Sequence, residues 1–150
     1  MPEKFWEDFE VGFTFQTPSI TVTETHVVNW AGLTMDFYPL HMDKEYCAKT
    51  PFKERLAHGP LIFGMAVGMA GLAKVEGGAM IAWMGADNMK MLAPVKIGDT
   101  ITNRIEVIEK RETGKKNQGF QTWQYKIFNQ RNEMVMIFDM KFLMHRKPEE

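Results

Sequence analysis

Residues 59–74, GPLIFGMAVGMAGLAK, contain the longest apolar run of the chain. The run predicts a helix, because Pro60 fits the first turn, where a missing N–H costs nothing. It is apolar on almost every side, so we expect the helix to be buried. Each of the internal glycines Gly64, Gly68 and Gly71 costs a helix about 1 kcal/mol relative to alanine, so we expect close approach of a backbone or sheet to offset that cost. The stretch therefore predicts a slender buried helix wrapped by a sheet.

The segments around this helix predict an α+β fold. Residues 23–33 have helical spacing of apolar side chains, whereas residues 34–58 form a long irregular segment that holds two prolines. After the helix the pattern becomes that of strands, with β-branched and aromatic residues in alternation. The predicted strands are residues 79–84, 88–92, 100–110, 120–129 and 134–144. An early helix, a buried helix and then several antiparallel strands indicate the α+β class.

Composition limits the class of protein. The chain has 150 residues, 45% hydrophobic and 25% charged, which fits one domain over residues 1–150. The net charge of -1 gives no electrostatic case for nucleic acid. Cys47 is the only cysteine, which excludes an intrachain disulfide. The start, MPEKFWEDFE, lacks the features of a signal peptide, and no apolar run approaches the roughly 20 residues of a membrane span. We therefore expect a cytoplasmic protein that does not enter membranes.

The irregular segment holds the candidate catalytic residues. Asp36 and His41 lie five residues apart on either side of Pro39, and a turn there can bring both side chains together. A histidine beside a carboxylate can exchange protons near neutral pH. The alternative is structural, with Asp36 as a loop or capping residue and His41 as a buried hydrogen-bonded histidine. Asp43 is expected to cap or brace the loop.

The start of the apolar helix is the second candidate feature. The first N–H groups of a helix have no acceptor inside it, and they favour negative charge. Gly59 allows a ligand to approach the backbone closely, so its N–H can polarise a carbonyl as an oxyanion hole does. His58 either hydrogen-bonds the loop backbone or reaches the site.

These motifs together resemble a known family. Asp36-x-x-Pro39-x-His41-x-Asp43, followed by Ala57-His58-Gly59 and a helix rich in glycine and alanine, resembles the signature of MaoC-like dehydratases and R-specific enoyl-CoA hydratases. Residues 9–13, FEVGF, and residues 94–100, PVKIGDT, resemble further elements of that family. The resemblance implies a hot-dog fold, in which an antiparallel sheet wraps a long central helix. It also implies a homodimer or larger homo-oligomer.

The resemblance further implies an activity and a role for each motif residue. Asp36 and His41 would activate one water, which adds to a trans-2-enoyl thioester and gives the R-3-hydroxyacyl product, while the Gly59 N–H would bind the thioester carbonyl. Tyr38, His58 and Pro60 are the predicted substrate-binding residues. No metal or redox cofactor is expected, because coenzyme A or acyl carrier protein enters as part of the substrate.

Three departures from the family pattern leave the substrate open. Tyr38 stands where the family often has asparagine, Pro60 follows the His-Gly pair where an apolar residue is usual, and the helix contains no serine or threonine. A branched or dicarboxylic enoyl-CoA, of mesaconyl or itaconyl type, is one alternative, with Lys53 or Arg55 as the cation for a second carboxylate. An acyl-CoA thioesterase is another, although such enzymes use a carboxylate on or near the helix, and this helix carries none. A non-catalytic acyl-CoA-binding protein is the last.

Overall fold

The computed structural model describes residues 2–148, which form one antiparallel sheet and four helices. A short 3-10 helix, Trp6–Asp8, precedes them. The helices are α1 (Glu24–Thr34), α2 (Pro39–Met42), α3 (Lys44–Ala48) and α4 (Gly59–Leu72). The strands are β1 (Thr14–Gln16), β2 (Ile20–Thr21), β3 (Met80–Met91), β4 (Thr100–Glu112), β5 (Gln118–Phe128) and β6 (Met134–His145). The predicted α+β class is confirmed, with an early helix and α4 preceding the long strands as expected.

The sheet has the strand order β1-β4-β5-β6-β3, with β2 also paired to β4. The pairings are antiparallel throughout the described residues. Side chains on one face of the long strands pack against α4, as in the contact of Phe63 with Phe138, whose ring centroids are 4.8 Å apart. Asn103 of β4 is buried and donates through Nδ2 to the carbonyl of Ala66, at 2.7 Å. The helix is thus fixed to the sheet by both apolar packing and a buried hydrogen bond.

Helix α4 differs from its prediction in how it is covered. Its sheet-facing side is buried, at Leu61, Ile62, Ala66, Met69 and Ala70. Gly64, Gly68 and Gly71, however, are exposed in the single chain. A Cβ placed on Gly64 would lie 3.7 Å from Trp30 of α1, and a Cβ on Gly68 or Gly71 would have nothing within 4 Å. The expectation of burial on every side, with the sheet close to the glycines, is therefore wrong, because the sheet wraps only one side of the helix.

Strand β3 is a single strand where the sequence predicted two. Its pairing with β6 continues through three register shifts, and the break expected near residue 85 is a bulge instead. Gly85 has a φ of 137° and Asn88 a φ of 54°. A bulge kinks a strand without ending it, since the strand resumes its pairing beyond the extra residue.

The segment predicted to be irregular, residues 34–58, contains the two short helices α2 and α3. Pro39 begins α2, and Asp43 begins α3 by accepting a hydrogen bond from the N–H of Tyr46, at 2.9 Å. The capping role expected of Asp43 is confirmed. The two helices are too short to produce a helical periodicity in the sequence, which is why the prediction missed them.

Within residues 2–148, no helix is both long and apolar enough to cross a membrane.

The contact between Trp6 and Gly119 gives a direct test of the fold. A Cβ on Gly119 would lie 2.5 Å from three atoms of the buried Trp6 ring, whereas a Cβ on Gly114 would meet nothing within 4 Å. Gly119→Ala should lower the free energy of unfolding by about 1–3 kcal/mol through overpacking, measured by urea denaturation. Gly114→Ala is the matched control, and an equal loss in the two variants would contradict the packing of Trp6 on β5.

Candidate active site

The candidate site is built on residues 55–58, which lead into α4. The N–H of Ala57 donates to the carbonyl of Val95 at 2.8 Å, and Leu56 forms an isolated antiparallel bridge with Lys96. These contacts fix the segment to the turn before β4. Its other polar groups face α2, so the segment joins the rigid sheet to the loop that carries the predicted catalytic residues.

Two hydrogen bonds from this segment and one from α3 hold α2 in place. The N–H of Leu56 donates to the carbonyl of Leu40 at 3.2 Å, and the guanidinium of Arg55 donates through Nε to the carbonyl of His41 at 2.6 Å. The thiol of the buried Cys47 also donates to the carbonyl of Leu40, at 3.2 Å. The last carbonyls of a four-residue helix have no N–H donors within the helix, so these three donors supply the missing partners.

His41 has a defined tautomer. Its Nδ1 lies 2.8 Å from the carbonyl of Leu56. A carbonyl only accepts hydrogen bonds, so Nδ1 of the neutral ring carries the hydrogen and Nε2 keeps its lone pair. The side chain is half-buried. His41 therefore presents one basic nitrogen, held in a fixed direction.

Asp36 lies directly after the end of α1, where Met35 adopts a left-handed conformation with a φ of 66°. One carboxylate oxygen of Asp36 accepts from the N–H of Tyr38, at 3.4 Å. Its backbone carbonyl accepts from Nε2 of His58, at 3.0 Å. The backbone of Asp36 is thus attached to the residue that precedes α4, and its carboxylate remains half-buried beside the site.

His58 lies beneath the pair and is fully buried. Its ring stacks on that of His41, with centroids 3.9 Å apart and planes 30° from parallel. Burial lowers the pKa of His58 below its ordinary value of 6.5, opposed by the hydrogen bond to Asp36, and a charge on His41 lowers that pKa further. His58 is therefore held neutral. Its side chain has no surface exposed in the single chain, and the substrate-binding role expected of it stays a prediction.

Asp36, His41 and His58 each place a potential ligand atom within 4.8 Å of the others. The spacing is compatible with a metal ion, but the ring orientation is not. The lone pairs of stacked imidazoles lie in nearly parallel planes and do not converge on one ion at about 2.1 Å. The cluster suits proton transfer to a small molecule, and the expected lack of a metal stays a prediction.

The remaining predicted residues surround this cluster. Gly59 is the first residue of α4, and the side chain of Met91 lies 3.6 Å from the position that a Cβ on Gly59 would take. Tyr38 is exposed, with its ring centroid 6.3 Å from that of His41. Pro60 is also exposed. The structure therefore places Asp36, Tyr38, His41 and Gly59 around one region, open to solvent in the single chain.

Arg55 helps to hold the site in place, a role that the sequence did not indicate. Besides its bond to His41, it donates through Nη1 to both carboxylate oxygens of Glu24 on α1, at 2.8 and 3.0 Å. Its guanidinium is thereby committed within the protein. No local motif signals this role, because the acceptor on α2 is a backbone carbonyl and Glu24 lies 31 residues away.

Comparison with known proteins identifies the family. The profile of the MaoC like domain matches residues 8–125, more than half of the chain. The chain belongs to the MaoC-like domain family. It is 35% identical to the (R)-specific enoyl-CoA hydratase of Rhodospirillum rubrum over 105 residues, and this match covers 69% of each of the two chains. Across the first curated relatives, the matched region spans from 32% to 69% of the relative's length.

Solved structures agree with this membership. The monoamine oxidase regulatory protein from Archaeoglobus is 34% identical, with a TM-score of 0.91 over 97% of this chain and 96% of that one. A Mycobacterium tuberculosis protein described as a double hotdog fold is 20% identical, with a TM-score of 0.85 over 98% of this chain and 46% of its own. The hot-dog fold expected of this MaoC-like chain is confirmed.

The buried His58 predicts a pH dependence of stability. Its pKa is lower in the folded state than in the unfolded chain, so its contribution is complete above about pH 6.5 and is lost as the pH falls through the folded-state pKa. The wild-type protein should lose more unfolding free energy between about pH 7.5 and about pH 5.5 than His58→Gln, which cannot titrate. Urea denaturation at the two pH values measures this difference. Equal losses would contradict a neutral buried His58.

Proposed function

We propose that the chain is a hydro-lyase that adds water reversibly to a trans-2-enoyl thioester and gives the (R)-3-hydroxyacyl thioester. The observation that carries the proposal is the basic Nε2 of His41, fixed beside the Asp36 carboxylate by the Nδ1 bond to Leu56. Membership of the MaoC-like family supports it, as does the relative named (R)-specific enoyl-CoA hydratase. The R configuration rests on those relatives alone.

In the proposed reaction, one water lies between the Asp36 carboxylate and Nε2 of His41. His41 accepts a proton while the water oxygen bonds to C3, and the electrons of the C2=C3 double bond move toward the thioester oxygen. The Gly59 N–H stabilises the charge that develops there. The enolate then takes a proton at C2 from the Asp36–His41 pair, so that one water supplies both added groups.

An apolar groove beside α4 supports an acyl substrate. Its lining residues are Phe63, Gly64, Val67, Trp83, Met140 and Phe142, and its volume is about 260 Å³. Gly64 follows Gly59 by five residues, or about 7.5 Å along the helix. A thioester with its carbonyl at Gly59 can therefore extend its hydrocarbon chain into this groove. We propose that the open glycine face of α4 accommodates that chain, with coenzyme A or acyl carrier protein outside.

The dicarboxylic alternative is less well supported, because Arg55 is bound through Nε to His41 and through Nη1 to Glu24, and its Nη2 is buried. Lys53 is exposed and donates to the carbonyl of Ala48, at 3.5 Å. The groove itself is lined by apolar residues. A thioesterase of this fold would place its carboxylate on or near α4, and α4 itself carries none. We therefore favour an unsubstituted or alkyl-branched enoyl chain.

Two isosteric substitutions test the catalytic pair. Asp36→Asn removes the carboxylate, and His41→Asn removes the base while its amide can still donate to the Leu56 carbonyl. Each should lower kcat for hydration of crotonyl-CoA or a longer enoyl-CoA by about 10²–10⁴-fold, the usual contribution of a general base. Loss of the enoyl absorbance measures the rate.

Glu45→Gln is the matched control, since Glu45 is an exposed carboxylate on the neighbouring α3. It should keep wild-type activity, and circular dichroism should show that all three variants fold. Full activity in both Asp36→Asn and His41→Asn would contradict the hydratase. Release of free thiol from saturated acyl-CoA would favour the thioesterase, and tight binding of all thioesters without turnover would favour a binding protein.

We also propose that the working unit is a homodimer joined along β3. Within residues 2–148, β3 pairs with β6 on one side only. Exposed apolar side chains lie along it, namely Ile81, Trp83, Met84, Met89 and Met91. An unpaired apolar edge favours association with another strand. Such a partner would also cover the open side of the site. A cytoplasmic location remains a prediction.

Light scattering after size-exclusion chromatography tests the dimer. The wild-type protein should have twice the chain mass, and Met89→Lys should shift it toward the monomer, because a lysine on a strand edge opposes pairing. Ile108→Lys, on β4 and also exposed, is the control that should remain dimeric. A monomeric wild-type protein at micromolar concentration would contradict the proposal.

A further inference from the structure

We infer that His58 is a positioning residue for the proposed reaction, which holds Asp36 through its backbone carbonyl and His41 through the stacked ring without touching substrate. The inference rests on the proposed function, since it assigns the support of the same catalytic pair. The residue is fully buried, with Nε2 3.0 Å from the Asp36 carbonyl and its ring centroid 3.9 Å from that of His41. It is thus in contact with both members of the pair.

The hydrogen bond to Asp36 acts where the chain is otherwise weakly held. Asp36 lies between the end of α1 and the start of α2, and its carboxylate receives only a long bond, from the N–H of Tyr38 at 3.4 Å. The N–H of Asp36 likewise has a long bond, of 3.4 Å, to the hydroxyl of Thr34. The bond from His58 is shorter than both. It links Asp36 to a residue next to α4, 22 positions away, and thereby sets the distance of the carboxylate from Gly59.

The stacked ring acts on the second member of the pair. One face of the His41 ring lies against His58, and the Tyr38 ring lies edge-on to it at 6.3 Å. Nδ1 of His41 is tied to Leu56, but a single hydrogen bond still permits the ring to tilt. The flat contact with His58 opposes that tilt and keeps Nε2 aimed into the site. Because a 1 Å displacement of a reacting group can cost about 10²-fold in rate, the effect should appear in kcat.

The charged groups around His58 are consistent with this role. It faces His41 and Asp36 of the loop and Arg55 of its own segment. Burial and the neighbouring positive charges favour the neutral ring, whose Nε2–H donates to Asp36. A neutral ring can stack on His41 when that residue carries the proton taken from water, whereas a charged ring would repel it. Its Nδ1 is buried without a hydrogen-bond partner.

Two variants separate the two contacts. His58→Gln keeps an N–H donor near the position of Nε2 but loses the flat ring, and His58→Phe keeps a flat ring but loses the donor. At one fixed pH of about 8, His58→Phe should lower kcat by about 10–100-fold with KM within about 3-fold. The kcat of His58→Gln should be at least about 5-fold higher than that of His58→Phe. Gly119→Ala, destabilised far from the site, controls for lost stability and should keep its kcat.

An NMR readout keeps the result independent of turnover. With ¹⁵N-labelled histidine, wild-type His41 should show the Nδ1–H tautomer, and His58→Phe should shift or broaden its signals. Unchanged His41 signals with kcat within about 3-fold of wild type would overturn the inference. A rise in KM with kcat unchanged would also overturn it, in favour of direct substrate contact. Absence of hydration by the wild-type protein, with the NMR changes present, would refute the hydratase and leave the positioning of His41 by His58 intact.

Discussion

The hydrogen bond from Nδ1 of His41 to the carbonyl of Leu56 joins the chemistry of this protein to its architecture. Leu56 belongs to a segment that is fixed to the turn before β4 on one side and to α2 on the other. The bond therefore does two things at once. It places a short helix that could not hold its position alone, and it selects the tautomer in which Nε2 is basic. The segment is bonded to the rigid sheet region on one side and to α2 on the other, so it restricts the movement of the loop.

The same segment explains how the proposed catalytic pair can be held on a loop residue, Asp36, and a four-residue helix. Loops carry function well when a rigid scaffold positions them. Here the scaffold reaches Asp36 and His41 through four successive residues: Arg55, Leu56, Ala57 and His58. Three of them use their side chain or carbonyl toward the loop, and Ala57 bonds to Val95. These contacts place the pair beside the start of α4, where the proposed reaction would polarise a carbonyl.

Helix α4 shows how a local cost can serve a site. Its glycines weaken the helix by about 1 kcal/mol each, and among residues 2–148 no atom of another element lies within 4 Å of a Cβ placed on Gly68 or Gly71. The apolar groove lies on the same helix, beside Gly64. An alanine-rich helix would be more stable but would narrow this face. The open edge of β3 adjoins the groove through Trp83, so an acyl chain and a second subunit would meet on the same side of the molecule.

The sequence by itself determined the α+β order, the extent of α4 to within two residues, the MaoC-like signature and the closeness of Asp36 to His41. All of these depend on neighbours along the chain, through periodicity, a proline turn or a short motif. The tertiary structure alone decided which face of α4 is covered, that β3 is one bulged strand, that Arg55 is occupied and that His58 lies beneath the pair. The last two features depend on partners 14 to 31 residues away, among them backbone carbonyls. A backbone carbonyl is the same at every position of a sequence, so only the folded chain shows which one a side chain reaches.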